Sequence, residues 1–275
     1  MLPGDVPEKQ RCHAGRRGRP KFTDRDKAPL GAVSTRGIVA FMTWRHVSVL
    51  VVAASALSPA ATAGPPKTLA GLCQVPSVKG SVVHFGGMTG ALVGSGKVGI
   101  LLANTSDGKL CDWLLNESRL MTGFSRKGYR VLLFNYRGTT ETAQARDDAV
   151  AAAELRKLGS PTIVLGGGSI GGAVSIEAAT VLKPVPAAVF GLSASSDHDS
   201  QVTAAAKMLT VPLLLVAAKQ DPYASSTRAI YRASSSKTKQ LLLVPGMTHA
   251  FFDLDPSGRK VDTAVLAFVA AHTSP

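Results

Sequence analysis

The stretch Thr162–Ser175, TIVLGGGSIGGAVS, decides the fold because it places a glycine-rich turn between an apolar run and a helical pattern. Two motifs overlap in this turn. Counting from Gly166 gives G-x-G-x-x-G, which is typical of a dinucleotide-binding turn, and counting from Gly167 gives G-x-S-x-G, which presents Ser169 as a nucleophile. Both motifs require a strand before the glycines and a helix after them. The rest of the chain must therefore distinguish them.

Short apolar runs alternate with amphipathic stretches on both sides of this turn. Strands are predicted at 81–85, 98–104, 129–138, 162–167, 187–193, 212–221 and 239–246. Helices are predicted at 111–128, 141–159, 170–182, 202–209, 226–234 and 259–272. Continuous apolar strands separated by helices indicate a mostly parallel sheet with helices on both faces. We therefore predict one α/β domain at 81–275, with its chemistry at the carboxyl ends of the strands.

The dinucleotide interpretation lacks the acidic residue that would hold a ribose. That residue should end the next strand, about 20 positions on, but the strand at 187–193 ends in Ser193. The nearest acid, Asp197, lies 26 residues after Gly171, in a predicted loop. At least three strands also precede the motif, whereas this fingerprint usually opens its domain. A nicotinamide-dependent reductase is therefore the weaker alternative.

The serine interpretation requires an acid and then a histidine, each after a later strand. Asp221 follows one apolar strand, and His249 lies five residues after Val244 in the next strand. Ser169, Asp221 and His249 should therefore meet at one edge of the sheet. His249 can take the serine proton, and Asp221 can fix the tautomer of His249. The backbone N–H of Ile170, at a helix start, can donate to the developing oxyanion.

Several residues could replace or extend this set. Asp197 and Asp199, which follow the preceding strand, are the alternative acids. We expect structural or solvated positions for three other histidines, His84, His198 and His272, and a core position for Trp113. Cys73 and Cys111 form no CxxC motif and lie near no histidine at the spacing of metal ligands, so no metal site is predicted.

The sequence resembles the α/β-hydrolase family over about residues 80–272. The motifs that carry the resemblance are GGSIG at Gly167–Gly171, KQDPY at Lys219–Tyr223 and GMTHAFF at Gly246–Phe252. The segment LLANTSDGKLCDW, followed by GYRVLLFNYRG, also looks like the oxyanion loop, helix and next strand of the family.

Two departures from the family pattern shape the expectation. Many members carry His-Gly where this chain has Asn104-Thr105, so the second oxyanion donor is expected to be the backbone N–H of Thr105 or Ser106. Only about 18 residues separate the helix after Ser169 from the next helix, which leaves no room for a lid domain. The chain is therefore similar to small members, dienelactone-hydrolase-like or esterase-like.

The resemblance implies a serine hydrolase that cleaves a small ester or related acyl substrate through an acyl-serine intermediate. It implies no cofactor and no metal. A non-catalytic binding protein on the same fold is the other alternative.

The first 63 residues differ in composition from the rest. Residues 1–41 are rich in Arg, Gly and Pro and are expected to be a disordered extension or sequence upstream of a true start at Met42. Residues 42–63 have a short basic start, an apolar run of eleven residues and an Ala-Thr-Ala end, the layout of a secretory signal peptide. An N-terminal anchor or a buried helix is the alternative for this run. Residues 64–80 are expected to be a linker.

The cysteine content agrees with export, and the distribution of charge bears on the possible partners. Beyond Cys12, the chain has only Cys73 and Cys111, which could form one disulfide in an oxidising compartment or remain as buried thiols. The net charge is +13, of which residues 64–275 carry +7 in scattered positions without a five-residue basic run. We therefore expect neither a nucleic-acid partner nor stable membrane insertion after cleavage, and a location outside the cell or in its envelope.

Overall fold

A computed structural model describes residues 68–75, 78–106, 108–196 and 199–273. The predicted N-terminal extension and signal peptide at 1–63 lie outside the described residues. Within the segment predicted as a linker, Leu69–Cys73 forms a short helix whose N-terminus is capped by the hydroxyl of Thr68.

The remaining elements follow the predicted alternation of strands and helices. The strands are β1 (Gly80–Phe85), β2 (Met88–Val93), β3 (Val98–Ala103), β4 (Arg130–Phe134), β5 (Thr162–Gly168), β6 (Ala188–Leu192), β7 (Leu213–Ala218) and β8 (Lys239–Val244). The helices are α1 (Leu69–Cys73), α2 (Leu110–Asn116), α3 (Ser118–Arg126), α4 (Glu141–Lys157), α5 (Ile170–Val181), α6 (Asp199–Met208), α7 (Ala224–Ala233) and α8 (Gly258–His272).

The strands form one sheet of eight, in the order β1-β2-β4-β3-β5-β6-β7-β8. From β4 to β8 every neighbouring pair is parallel, whereas β2 pairs antiparallel with both β1 and β4. The prediction of a mostly parallel sheet is confirmed. The antiparallel edge comes from the hairpin β1–β2, whose turn residues Gly86 and Gly87 have φ values of 52° and 76°. Glycine adopts positive φ without steric cost, so the chain can reverse there in two residues.

The core lies on both faces of the sheet. In β3 the side chains alternate, with Ile100 and Leu102 in one apolar cluster and Leu101 in the other. Residues of α1, α2, α3 and α8 contribute to the first cluster, and residues of α4, α5, α6 and α7 contribute to the second. Strands covered on both faces need no polar side, which explains why their sequences are continuous apolar runs. Among the described residues, every helix is too short or too polar to cross a bilayer.

The helix predicted at 111–128 is two helices, α2 and α3, because Glu117 breaks it. Glu117 has non-helical dihedral angles, φ −136° and ψ 37°. Its carboxylate turns inward and accepts a hydrogen bond from the backbone N–H of Phe252. This contact joins residues that are 135 positions apart. A helical periodicity cannot predict such a break, because it reports only local spacing.

The predicted disulfide is present between Cys73 and Cys111. It joins α1 to α2 and closes a loop of 38 residues that contains β1, β2 and β3. The disulfide therefore links α1 covalently to the helices that cover one face of the sheet.

Candidate active site

The glycine-rich turn between β5 and α5 holds Ser169 in a conformation that few non-glycine residues adopt. Ser169 has φ 55° and ψ −125°. The turn needs glycine on both sides: a Cβ at Gly167 would lie 2.3 Å from the backbone carbon of Gly171, and one at Gly171 would lie 2.3 Å from the carbonyl oxygen of Asn104. Strained backbone of this kind persists only where the surrounding structure enforces it. The turn therefore projects the Ser169 side chain beyond the sheet edge.

The structure brings Ser169, His249 and Asp221 into one hydrogen-bonded chain. Nε2 of His249 lies 2.8 Å from Oγ of Ser169. Nδ1 of His249 lies 3.0 Å from each carboxylate oxygen of Asp221. The Asp221 side chain is 0% exposed, and that of His249 is 30% exposed. A buried carboxylate thus faces one ring nitrogen, while the other nitrogen faces a hydroxyl that opens to a cavity.

Local contacts hold Asp221 and His249 in place. The backbone N–H of Tyr223 donates to Oδ1 of Asp221 at 2.9 Å. The ring of Tyr223 packs on the imidazole of His249 with centroids 4.9 Å apart. After His249 the chain turns sharply, since Ala250 has φ 65° and the N–H of Phe251 donates to the His249 carbonyl at 2.8 Å. These contacts limit the motion of the imidazole relative to the carboxylate.

The residues predicted to bind an oxyanion also lie at this edge. Ile170 is the first residue of α5, so its N–H has no acceptor within the helix and lies at the positive end of the helix dipole. Thr105 and Ser106 follow β3, next to the Ser169 turn. Asn104, buried between them and β3, donates from Nδ2 to the carbonyl of Phe134 at 2.5 Å and so anchors this loop to β4.

These groups share one cavity of about 370 Å³. Its lining is half polar and combines all the predicted residues except the buried Asp221: Thr105, Ser106, Ser169, Ile170, Ser195, Ser196, Tyr223, His249, Ala250 and Phe251. A slightly larger, apolar cleft of about 400 Å³ lies elsewhere, between α4, α5 and α6, and none of the three hydrogen-bonded residues lines it. The apolar cleft is slightly larger, but the first cavity contains the hydroxyl and the imidazole that could react. We therefore assign the candidate active site to the first cavity.

Sequence reasoning did not assign five of the lining residues to the site: Ser195, Ser196, Tyr223, Ala250 and Phe251. Oγ of Ser195 lies 3.2 Å from Oγ of Ser169, and Ser195 is 3% exposed. Phe251 lines the cavity and packs edge-to-face on Trp113, with centroids 5.2 Å apart. The signal for Ser195 was its place just after β6, at the edge that also carries Ser169. No motif marks a residue there, because the loop geometry decides which side chain points inward.

The alternative residues are placed elsewhere or lie beyond description. Asp197 and His198 are outside the described residues, and Asp199 begins α6 without a described side chain. The other predicted structural residues lie as follows: His84 contacts Thr89 in the β1–β2 hairpin at 3.2 Å, His272 packs on Phe268 in α8, and Trp113 is 0% exposed. Trp113 is a core residue, as predicted.

Comparison with known proteins shows a shared fold and little shared sequence. Dienelactone hydrolase from Anabaena variabilis superposes with a TM-score of 0.60 at 16% identity, over 73% of this chain and 100% of that one. An esterase from Pyrococcus furiosus gives 0.61 at 13% identity, over 72% and 92%. Est1E from Butyrivibrio proteoclasticus gives 0.59 at 17% identity, over 70% and 98%. No protein-family model and no curated protein matches the sequence.

Proposed function

We propose that the chain, which has the α/β-hydrolase fold, is a serine hydrolase that cleaves an ester or related acyl bond through an acyl-Ser169 intermediate. One observation carries the proposal: His249 lies between Ser169 and Asp221 at 2.8 and 3.0 Å, one ring nitrogen facing each. A hydroxyl, an imidazole and a buried carboxylate in this order are the groups that nucleophilic acyl transfer requires. Solved structures of similar fold include an esterase and a dienelactone hydrolase.

In the first half of the reaction, Oγ of Ser169 attacks the acyl carbon and His249 takes its proton at Nε2. The carbonyl oxygen becomes an oxyanion, which the N–H of Ile170 and that of Thr105 or Ser106 stabilise. Asp221 keeps the proton of neutral His249 on Nδ1 and stabilises the imidazolium that forms. When the tetrahedral intermediate collapses, the bond to the leaving alcohol breaks, and His249 returns the proton to the alcohol oxygen.

In the second half, water replaces the alcohol. His249, neutral again, takes a proton from water as the water oxygen attacks the acyl-serine carbon. The second tetrahedral intermediate collapses, the bond between the acyl carbon and Oγ of Ser169 breaks, and His249 returns the proton to Oγ. The products are a carboxylic acid and the restored serine. Every proton is carried by His249 or water, so the proposed reaction uses no cofactor.

The cavity supports a small substrate. Its volume of about 370 Å³ is near the lower end of the range for small-molecule sites. Between β6 and α6 the chain has only residues 193–198, too few for a lid domain above the cavity. Phe251 and Tyr223 supply apolar surface, and Ser195 and Ser196 supply hydroxyls. We therefore expect short acyl or aromatic esters. Est1E has been solved with ferulic acid bound.

We further propose that the protein is exported after cleavage near Gly64. The support is the signal-like composition of residues 42–63 together with the disulfide between Cys73 and Cys111, since disulfides persist in oxidising compartments. Mass analysis of protein recovered from the culture medium or cell envelope tests this. A mature chain that starts near Gly64 supports the proposal, and full-length protein found only in the cytosol contradicts it.

A fluorophosphonate probe tests the hydrolase directly, because it forms a stable bond only with an activated serine. We expect labelling of the wild type at Ser169, no labelling of Ser169→Ala, and retained labelling of Ser195→Ala, which removes a second hydroxyl from the same cavity. p-Nitrophenyl esters of graded acyl length should be hydrolysed, the short ones fastest. An unlabelled wild type that binds esters without turnover would instead indicate a binding protein. NADH binding seen by fluorescence would favour a reductase.

A further inference from the structure

A cluster of three carboxylates lies behind the segment that carries His249. Glu117 comes from the break between α2 and α3, Asp253 from the loop after His249, and Asp262 from α8. One oxygen from each lies within 4.8 Å of the other two. Glu117 is 0% exposed, and the side chains of Asp253 and Asp262 are 9% and 11% exposed. Three acidic groups are thus held close together and nearly out of water.

Each carboxylate uses one oxygen for a hydrogen bond and leaves the other without one. Glu117 accepts from the N–H of Phe252, Asp253 accepts at Oδ2 from the N–H of Arg119 at 3.0 Å, and Asp262 accepts at Oδ2 from Nε of Arg119 at 2.9 Å. Among the described residues, two of the remaining oxygens have no partner, Oε2 of Glu117 and Oδ1 of Asp262, whereas Oδ1 of Asp253 lies 3.4 Å from a guanidinium nitrogen of Arg119. A buried carboxylate oxygen without a partner in the protein is uncommon and is explained by a bound water or ion.

The charges of the cluster do not balance. Arg119 lies 3.4 Å from Oδ1 of Asp253 and 2.9 Å from Oδ2 of Asp262, so it offsets one of three negative charges. With all three carboxylates ionised, a net charge of −2 remains in a cluster that is nearly out of water, and a bound cation would offset it.

We infer that Glu117, Asp253 and Asp262 form a binding site for a divalent cation of the calcium type. Calcium binds carboxylate oxygens at about 2.3–2.6 Å, so ligands on opposite sides of the ion lie about 4.6–5.2 Å apart, and three oxygens that all lie within 4.8 Å of one another can reach one such ion. A proton shared between two of the carboxylates is the alternative, and it would make the stability respond to acid and not to calcium. Two positive charges also match the charge that Arg119 leaves uncompensated.

The site would stabilise the segment 249–253. Its C-terminal end is held at this point, since Asp253 is a ligand and Phe252 is hydrogen-bonded to Glu117. Phe251, which lines the cavity, lies between His249 and these contacts. Cation binding should therefore stabilise the fold and reduce the mobility of the His249 loop. This inference does not depend on the proposed hydrolysis, because its main readout is stability.

Thermal unfolding of the full chain, treated with EDTA and dialysed, tests the site. We expect calcium at about 5 mM to raise Tm by about 5 °C, as expected for a weak extracellular-type site in a domain of this size. Glu117→Gln, which keeps an acceptor for the Phe252 N–H, and Asp262→Asn should each abolish the shift. Glu154→Gln removes a half-buried carboxylate that is paired with Lys157 on α4, away from the cluster, and this variant should keep the calcium shift.

Three outcomes would overturn the inference. The first is a Tm of the wild type that calcium leaves unchanged. The second is a shift that survives in both Glu117→Gln and Asp262→Asn. The third is a Tm that rises on acidification alone, with no effect of calcium, which would identify a shared proton. Terbium supplies a measurement that needs no variant if the variants do not fold. Glu117 is one helical turn after Trp113, so bound terbium should emit on tryptophan excitation and lose emission when calcium competes. Absence of that emission also counts against the site.

Discussion

Oγ of Ser169 lies 2.8 Å from Nε2 of His249, although 80 positions separate the two residues in the chain. The contact exists because both follow parallel strands, β5 and β8, whose carboxyl ends meet at one edge of the sheet. Ser169 also carries the unusual dihedral angles of its turn. The serine is therefore placed for contact with the imidazole and not for packing, which allows its hydroxyl to be removed without loss of the fold.

Ser169→Ala should abolish ester hydrolysis and leave stability nearly unchanged. Alanine has a Cβ, as serine does, so the substitution does not change how well the residue fits the unusual backbone conformation of the turn. The nucleophilic hydroxyl is lost. If the three groups act as a unit, turnover should fall by roughly 10⁴-fold or more. Steady-state kinetics and a melting curve on the same preparation check both statements. Turnover close to that of the wild type would rule out Ser169 as the nucleophile.

Asp221→Asn should lower kcat by about 10⁴-fold, as loss of the acid does in other triads, because the amide favours the wrong tautomer of His249. Asn keeps the volume of the buried side chain, so Tm should change little. Asp197→Asn and Asp199→Asn are the controls and should have nearly normal kcat. If one of these two is crippled while Asp221→Asn is nearly silent, the acid is assigned wrongly. If all three are silent while Ser169→Ala is inactive, the site works as a dyad of Ser169 and His249.

The value of kcat/KM should fall in acid, because His249 is the proposed general base. A general base accepts a proton only when it is neutral, so protonated His249 cannot activate Ser169. A pH profile of kcat/KM on one p-nitrophenyl ester, with stability checked at each pH, measures this. A profile that does not fall in acid, while the protein stays folded, would show that no such base limits the reaction.

Much of the fold and the arrangement of the site could be predicted because both depend on local patterns. Buried strands read as apolar runs, and residues that follow such runs in a parallel sheet meet at one edge. This reasoning predicts Asp221 and His249 beside Ser169, and the structure has them within hydrogen-bond distance of one another in that order. The pairing of Cys73 with Cys111 followed from there being only two cysteines beyond Cys12.

The features that were missed depend on distant contacts. Strand β2 contains Thr89 and Gly90, which interrupt its apolar run, and it is held by antiparallel pairing on both sides. The break at Glu117 depends on Phe252, far along the chain. Ser195 reaches Ser169 through the conformation of a loop. None of these can be read from the spacing of residues within one element.

Loss of the disulfide should destabilise the protein by about 4 kcal/mol in the chain-entropy model, since the bridge closes a loop of 38 residues. The double variant Cys73→Ala/Cys111→Ala, compared with the wild type in urea, measures this as a lower midpoint and a lower free energy of unfolding extrapolated to water. Wild-type protein under reducing conditions should match the variant. Equal midpoints for the oxidised and reduced protein would show that the bridge does not stabilise the fold.

Asp148→Asn should stabilise the protein, and more so at neutral than at acidic pH. Asp148 is 0% exposed in α4, and burial raises its pKa well above the usual range; the hydroxyls of Tyr136 and Ser175 oppose the shift, and the nearby carboxylate of Asp147 adds to it. Between the pKa of the unfolded chain, about 3.9, and that of the folded state, unfolding releases the proton. Stability therefore falls as pH rises through this window, and Asn, which resembles the protonated acid, removes that loss.

Asp147→Asn is the matched control for this change, one position earlier in the same helix. Asp147 pairs with the guanidinium of Arg137 at 2.5 Å and accepts from the backbone N–H of Gly138 at 3.0 Å. Its charge is compensated, so its removal should destabilise the protein by roughly 1–3 kcal/mol.

For Asp148→Asn we expect Tm at pH 7 to rise by about 2–4 °C, the shift that about 1 kcal/mol produces in a domain of this size, with a smaller rise at pH 4. A Tm at pH 7 that is lower than that of the wild type would contradict this prediction, because ionised Asp148 would then stabilise the packing of α4 on α5.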